Sequence, residues 1–154
     1  MRNLDEYDLI VVDIDDTLIH GFWTNIMHYT WKWFRSDLLS SILMTLQNRF
    51  NIYKLNQKLV YMLKNTKTPI VVMTVRKENE ATAEMIYKIL DKDFTLYELQ
   101  TDYGYIMKPR IIEELLQDYP KVILFDDNKM IRDNVAGLEV DVVDPVAMRE
   151  EFIQ

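Results

Sequence analysis

Residues 9–18 read LIVVDIDDTL, an apolar run that ends in three aspartates. Its first six residues include five large apolar side chains, four of them Val or Ile, which is typical of a strand buried on both faces of a parallel sheet. Asp13, Asp15 and Asp16 follow at the carboxyl end of this strand, where open α/β sheets bind their ligands. Because like charges this close repel one another, a divalent cation among them is one explanation. The alternative is an acidic turn in which Asp16 or Thr17 is the N-cap of a helix.

Two more apolar runs predict strands of the same sheet. Residues 70–74 read IVVMT and end on the hydroxyl of Thr74. Residues 121–125 read KVILF and are followed by Asp126 and Asp127. Helical patterns lie between these runs, and strands that alternate with helices predict an α/β fold with a mainly parallel sheet.

Weaker signals complete the expected fold. Residues 94–99 and 140–143 predict further strands, and the apolar spacing of residues 55–63 predicts a helix. Another helix is expected to start at Lys108 and Pro109, because proline suits the first helical position.

The segment from 22 to 50 carries a different pattern. Its second half predicts one amphipathic helix from apolar residues at helical spacing, namely Leu39, Ile42, Leu43, Leu46 and Phe50. Its first half contains all three tryptophans of the protein. Either two helices pack there as a hairpin, or some of the rings line a pocket; packing in the core is the default interpretation and a substrate-contacting lid is the alternative.

Composition limits the class of protein. The chain has 154 residues, of which 49% are hydrophobic, which suits a single domain with its own core. A formal net charge of -7 argues against binding to extended duplex nucleic acid, which needs a basic face. The chain has no cysteine, so oxygen ligands and a hard cation such as Mg²⁺ are the expected metal chemistry. The charged N-terminus and the lack of a long apolar run lead us to expect a cytoplasmic protein without a membrane anchor.

Three predicted strands end in chemically related side chains. The carboxyl ends of parallel strands share one edge of a sheet, so Asp13, Thr74 and Asp126 are expected to converge. Lys108, at a predicted helix start, is expected to join them. Carboxylates that hold a metal, beside a hydroxyl and an ammonium that hold an anion, suit transfer of a phosphoryl group.

At this point the chain resembles the haloacid dehalogenase-like (HAD) superfamily. Residues 13–18, DIDDTL, match its D-x-D-x-T signature, and Thr74, Lys108 and the Asp126-Asp127 pair match its later motifs in order. The resemblance runs from about residue 7 to residue 145. It implies a three-layer Rossmann-like fold in one domain, 1–154, with a small helical cap or flap inserted at about 21–50. It also implies Mg²⁺ and a covalent aspartyl phosphate.

The resemblance also implies a role for each matching residue. Asp13 would be the nucleophile, and Asp15 would donate a proton to the leaving group and then activate water. Thr74 and Lys108 would bind the phosphoryl oxygens. Mg²⁺ would be held by the Asp13 carboxylate, the Asp15 main-chain carbonyl and Asp126, with Asp127 bound directly or through water.

The residues around these motifs suggest the type of substrate. Asp126-Asp127 and Arg76, two positions after Thr74, resemble two nucleotide-directed branches: the 3′-phosphatase domain of polynucleotide kinase and the 5′(3′)-deoxyribonucleotidases. Arg76 would bind a substrate phosphate or base, or else form a surface ion pair. We therefore expect a phosphatase for a small phosphorylated substrate, such as a nucleotide or a nucleic acid terminus. A non-catalytic binding module of the same fold and a phosphotransferase with an acceptor other than water are the alternatives.

Overall fold

The computed structural model describes residues 3–21, 37–76, 78–99 and 104–150. Five of its strands form a parallel sheet, and two short strands form a separate antiparallel ribbon. In chain order the strands are β1 (Leu9–Val12), β2 (Ile19–Gly21), β3 (Tyr53–Leu55), β4 (Ile70–Thr74), β5 (Thr95–Glu98), β6 (Val122–Phe125) and β7 (Val140–Val143). The helices in the described ranges are α1 (Asp37–Arg49), α2 (Gln57–Asn65), α3 (Glu80–Leu90), α4 (Gly104–Leu115), α5 (Lys129–Val135) and α6 (Pro145–Glu150).

Strand β1 lies at the centre of the parallel sheet, whose order is β5-β4-β1-β6-β7. Val12, its last residue, is in register with Val72 on one side and Phe125 on the other. The expected α/β fold with a parallel sheet and helices on both faces is therefore confirmed. The strands expected at 94–99 and 140–143 are also confirmed, as β5 and β7.

The two faces of the sheet are covered by two apolar cores. Alternate residues of β1 point to opposite faces: Ile10 and Val12 belong to one core, Leu9 and Val11 to the other. Helices α2 and α3 cover the first face, and α4 and α5 cover the second. Burial on both faces explains the uninterrupted apolar run of β1 in the sequence.

The insert after the first motif is joined to the sheet domain by the antiparallel ribbon. β2 and β3 pair from Ile19 opposite Leu55 to Gly21 opposite Tyr53, so the chain leaves and returns at one place. This pairing brackets the insert expected at about 21–50. The tryptophan-rich part of the insert and His28 lie outside the described residues.

Helix α1 does not bury the apolar stripe that its sequence predicts. Ile42, Leu46 and Phe50 are exposed, Phe50 by 69% of its surface, whereas Gln47 and Asn48 are buried. The buried side of α1 packs on α3 through polar side chains: Asn79 Nδ2 donates to Thr45 Oγ1 over 2.9 Å. The helix expected from this spacing is confirmed as α1, but spacing alone does not show which face of a helix a neighbouring element covers.

Two other expected helices are present but begin at different residues. The helix expected from residue 55 begins at Gln57, with Asn56 as its N-cap, because Leu55 is taken up by β3. The helix expected from Lys108 and Pro109 begins at Gly104, so both residues lie inside α4.

The described part of the chain contains no helix with the length and apolar character needed to cross a membrane. The expected cytoplasmic location stays a prediction.

Candidate active site

The site begins at the carboxyl edge of the three central strands. Asp13 follows β1 directly, and its main-chain N–H donates to the carbonyl of Phe125 on β6 over 3.0 Å. Asp126 follows β6 directly, so the two aspartates leave adjacent strands at the same height. Thr74 ends β4 on the other side of β1 and is buried. The predicted convergence at one sheet edge is thus present for these three residues.

Lys108 lies between the two aspartates. Its Nζ is 2.8 Å from Asp13 Oδ1 and 2.5 Å from Asp126 Oδ2, and its side chain is 0% exposed. The contact with Asp126 Oδ2 is ionic but lacks hydrogen-bond geometry, and Asp126 Oδ1 accepts the N–H of Asn128 over 2.9 Å. One buried ammonium is therefore shared by two buried carboxylates.

This arrangement changes the acid–base properties of the site. Burial raises the pKa of Asp13 to about 7, against the attraction of Lys108, and the neighbouring Asp126 and Asp15 add to the rise. Burial alone would lower the pKa of Lys108, but Asp13 and Asp126 outweigh it and raise that pKa above its ordinary value. Lys108 therefore stays charged, while Asp13 keeps a proton up to a higher pH than an exposed aspartate does.

Asp15 has a different partner. Arg76 donates from Nε to Asp15 Oδ2 over 2.6 Å and from Nη2 to Asp15 Oδ1 over 2.5 Å. Burial alone would lower the pKa of Arg76, but the ionic and hydrogen-bonding contributions of Asp15 raise it. This ion pair is not on the surface, because Arg76 is buried. The third nitrogen of Arg76, Nη1, donates to Asn48 Oδ1 on α1 over 3.3 Å.

Asp127 is held by Thr17 on the far side of the first motif. The Thr17 hydroxyl accepts the N–H of Asp127 over 3.1 Å and donates to Asp127 Oδ1 over 3.3 Å. Burial, followed by the charges of Asp126 and Asp16, raises the pKa of Asp127 to about 6. The Asp127 carboxylate is thus directed to Thr17, in contrast to Asp126, which faces Lys108.

The turn after Asp15 is not a helix start. Asp16 has a φ of 55°, in the left-handed region that short polar side chains tolerate, and β2 begins three residues later at Ile19. The N-cap alternative for Asp16 or Thr17 is therefore wrong. His20 Nδ1 contacts Asp16 Oδ1, so this histidine lies beside the first motif.

Sequence reasoning missed three residues that hold the site. Arg132 donates from Nη1 to the carbonyls of Asp126 and Asp127 and forms an ion pair with Asp144 over 2.9 Å. Thr17 is the threonine of the D-x-D-x-T pattern, and this match could have indicated that it supports the site. No motif indicated Asn48 or Arg132. Asn48 binds Arg76, which lies 28 residues later in the sequence, and Arg132 looks like an ordinary surface charge of a helix.

The described residues include no group of three or more acidic, histidine or cysteine side chains arranged to hold a metal ion. A magnesium site needs fewer, since Mg²⁺ in phosphoryl-transfer sites is bound by one or two carboxylates with water and substrate phosphate completing its shell. Asp13 and Asp126 supply such a pair at the ends of adjacent strands, and Lys108 contacts one oxygen of each. The donor set therefore fits Mg²⁺.

No family model matches the chain, and no curated protein matches it.

Proposed function

We propose that this protein is a Mg²⁺-dependent phosphatase of the HAD type, which hydrolyses a phosphate monoester through an aspartyl phosphate on Asp13. The observation that carries the proposal is the position of Lys108, whose buried ammonium touches both Asp13 and Asp126 at the carboxyl edge of the sheet. A carboxylate repels a phosphate dianion, and a fixed cation beside it offsets that repulsion. An aspartate that acts only as a helix cap or a surface charge needs no such partner.

The reaction has two halves in this proposal. In the first, an Asp13 oxygen attacks phosphorus, the ester P–O bond breaks, and the leaving oxygen takes a proton from Asp15. In the second, water attacks the phosphorus of the aspartyl phosphate, Asp15 accepts a proton from that water, and the bond between phosphorus and the Asp13 oxygen breaks to release phosphate. Thr74 and Lys108 bind the phosphoryl oxygens while the phosphoryl group is transferred to Asp13 and then to water.

The metal would be held by the side chains of Asp13 and Asp126 and the main-chain carbonyl of Asp15, with Asp127 bound directly or through water. When bound, Mg²⁺ would supply positive charge that stabilises the phosphoryl oxygens and offsets their repulsion by the carboxylates.

We infer that the substrate is small, because a net charge of -7 disfavours a long polyanion. A mononucleotide or a terminal phosphate of a nucleic acid suits the resemblance to the polynucleotide kinase 3′-phosphatase and 5′(3′)-deoxyribonucleotidase branches.

All three nitrogens of Arg76 donate to other side chains of the protein. We therefore assign Arg76 to the support of Asp15 in preference to direct binding of substrate.

The test is hydrolysis of p-nitrophenyl phosphate with and without Mg²⁺. We expect turnover that needs the metal and that falls about a thousandfold or more in Asp13→Asn, which lacks the nucleophile. Asp133→Asn is the matched control, since Asp133 is an exposed aspartate whose partner is Lys129. Equal rates for wild type and Asp13→Asn would remove Asp13 from the chemistry.

A substrate panel separates the alternatives. It should contain 3′- and 5′-mononucleotides, oligonucleotides with a 3′-phosphate, and other phosphorylated metabolites. Product that forms only when a non-aqueous acceptor is supplied would mean a phosphotransferase. Absence of turnover on the whole panel with Mg²⁺ would favour a binding module that has kept the fold.

A further inference from the structure

Helix α1 contacts the proposed acid–base residue through a chain of two side chains. Asn48, which is 2% exposed, accepts a hydrogen bond from Arg76 Nη1, and Arg76 binds both carboxylate oxygens of Asp15. The Asn48 amide nitrogen in turn donates to Thr82 Oγ1 on α3 over 3.3 Å. Asn48 thereby links Nη1 of the Arg76 guanidinium to both α1 and α3.

A guanidinium is planar, so holding Nη1 restricts the orientation of Nε and Nη2 as well. The Arg76 plane thus determines where the Asp15 carboxylate lies relative to Asp13. A misplacement of about 1 Å at a reacting group can cost roughly a hundredfold in rate. Small changes at Asn48 can therefore reach the chemistry although Asn48 does not touch the proposed reacting atoms.

We propose that Asn48 is a positioning residue for Asp15, acting through Arg76, so that docking of α1 on α3 is required for proton transfer to the leaving group. This inference rests on the proposed function. Its consequence is that α1, a helix of the insert, supplies part of the support for the proposed catalytic acid.

The structure offers a matched control for this inference. Thr45 also joins α1 to α3, through the 2.9 Å hydrogen bond from Asn79, but that contact involves neither Arg76 nor Asp15. Thr45→Ala and Asn48→Ala each remove a polar link between the same two helices. Asn48→Asp keeps an oxygen that can accept from Arg76 and is the conservative variant.

The kinetic readout compares two substrates that differ in their leaving groups. Phenyl phosphate has a more basic leaving group than p-nitrophenyl phosphate and depends more on a proton from Asp15. In Asn48→Ala, we expect kcat/KM for phenyl phosphate to fall about tenfold more than kcat/KM for p-nitrophenyl phosphate. Thr45→Ala should change both substrates by the same factor, and Asn48→Asp should recover part of the selective loss. An equal loss on both substrates in Asn48→Ala would overturn the inference.

A second measurement does not depend on turnover. The Nε–H of Arg76 can be followed by ¹⁵N–¹H NMR in the full chain, with the Arg76→Lys variant to assign its signal. We expect Asn48→Ala to shift this signal and speed its exchange with water, and Thr45→Ala to leave it in place. An unchanged signal in Asn48→Ala would show that Asn48 does not position Arg76, even if the enzyme is active. A wild-type protein that turns over no substrate, with the signal shifted as expected, would instead refute the proposed function alone.

Discussion

At the scale of single residues, Lys108 links the two buried carboxylates of the site. Its ammonium contacts Asp13 and Asp126, and its side chain has no exposed surface. A buried charge without a partner is far more costly than one with a partner. Removing the lysine leaves two carboxylates facing each other, whereas removing either aspartate still leaves the lysine a partner.

We predict that Lys108→Met lowers the free energy of unfolding by about 3–5 kcal/mol at neutral pH, as expected when one partner of a buried ion pair is lost. Urea denaturation measures the change. The variant should regain more stability from added Mg²⁺ than wild type does, because a divalent ion then has two carboxylates without a competing ammonium.

Lys129→Met is the control for Lys108→Met. Lys129 pairs with Asp133 over 2.5 Å, but both side chains are mostly exposed, so the loss should stay below about 1 kcal/mol. Similar losses in the two variants, or an equal response to Mg²⁺ in Lys108→Met and wild type, would contradict the description of Lys108 as a buried cation at a metal site.

The raised pKa of Asp13 predicts how stability depends on pH in the absence of metal. Its folded-state pKa of about 7 lies above its ordinary value of 3.8, so the folded protein holds a proton that the unfolded chain has lost between these values. Stability therefore falls as pH rises through this window and levels off above it. Asp127, raised to about 6, acts in the same direction. The raised pKa of Lys108 contributes stability that is fully present below 10.5 and is constant in this range.

We therefore predict that metal-free wild type loses thermal stability between pH 5 and pH 8, and that Asp13→Asn loses less of it. The difference in melting temperature between variant and wild type should grow in favour of the variant as pH rises. Differential scanning fluorimetry in EDTA measures both curves. Parallel curves for the two proteins would show that Asp13 does not titrate in this window.

The candidate site residues were largely predictable because each follows a strand or matches a motif. Asp13, Thr74 and Asp126 follow directly from apolar runs whose ends share a sheet edge. The partner of Arg76 was not predictable, because a lone arginine in a sequence gives no measure of its burial. Asn48 was not predictable either, since an asparagine in a predicted helix is ordinarily a solvated side chain.

At the scale of elements, the start of α4 determines where Lys108 lies. Gly104 begins this helix four residues before Lys108, about one helical turn. A Cβ on Gly104 would lie 2.5 Å from Val75 Cγ1 and 2.8 Å from the carbonyl oxygen of Leu99. The helix can approach the ends of β4 and β5 this closely only because residue 104 has no side chain.

We predict that Gly104→Ala lowers stability by about 1–3 kcal/mol, the usual cost of overpacking, although alanine is the better helix former. The main-chain oxygen of Leu99 cannot move aside as a flexible side chain would, so α4 should shift and carry Lys108 with it. We therefore expect a lower kcat/KM as well, measured on p-nitrophenyl phosphate with Mg²⁺.

Gly137→Ala is the matched control for the helix start. Nothing lies within 4 Å of a Cβ added at Gly137, so this variant should be within about 0.5 kcal/mol of wild type and fully active. A fully active and equally stable Gly104→Ala would mean that the close approach does not position Lys108.

The sequence misplaced the start of α4 for a physical reason. Proline is common at the first helical position, so Pro109 indicated a start nearby. Inside the helix, Pro109 has no N–H to donate to the carbonyl of Tyr105, one turn earlier. The contact of Gly104 with Val75 and Leu99 involves other elements, and no local pattern contains it.

At the scale of the whole molecule, the parallel sheet and its two cores were predictable, but the position of the insert helix was not. The sheet strands carry continuous apolar runs because both of their faces are covered. Helix α1 instead exposes Ile42 and Leu46, with Phe50 exposed directly after its end, and it contacts α3 through Thr45 and Asn48. Burial of the Gln47 amide adds a cost, because neither its Nε2 nor its Oε1 has a hydrogen-bond partner.

These features predict that α1 opens more easily than the sheet. Over its described side chains, residues 42–49, α1 contacts α3 through polar groups and carries a buried amide without a hydrogen-bond partner, whereas β1 is hydrogen-bonded on both sides and buried on both faces. Native-state hydrogen exchange should give amides 46–49 of α1 an opening free energy at least about 1 kcal/mol below that of β1. Asn48→Ala should lower the α1 value further and leave β1 unchanged relative to global unfolding. Equal protection of α1 and β1 would mean that the insert helix unfolds only with the core, and an opening of α1 that Asn48→Ala does not ease would mean that Asn48 contributes nothing to its docking.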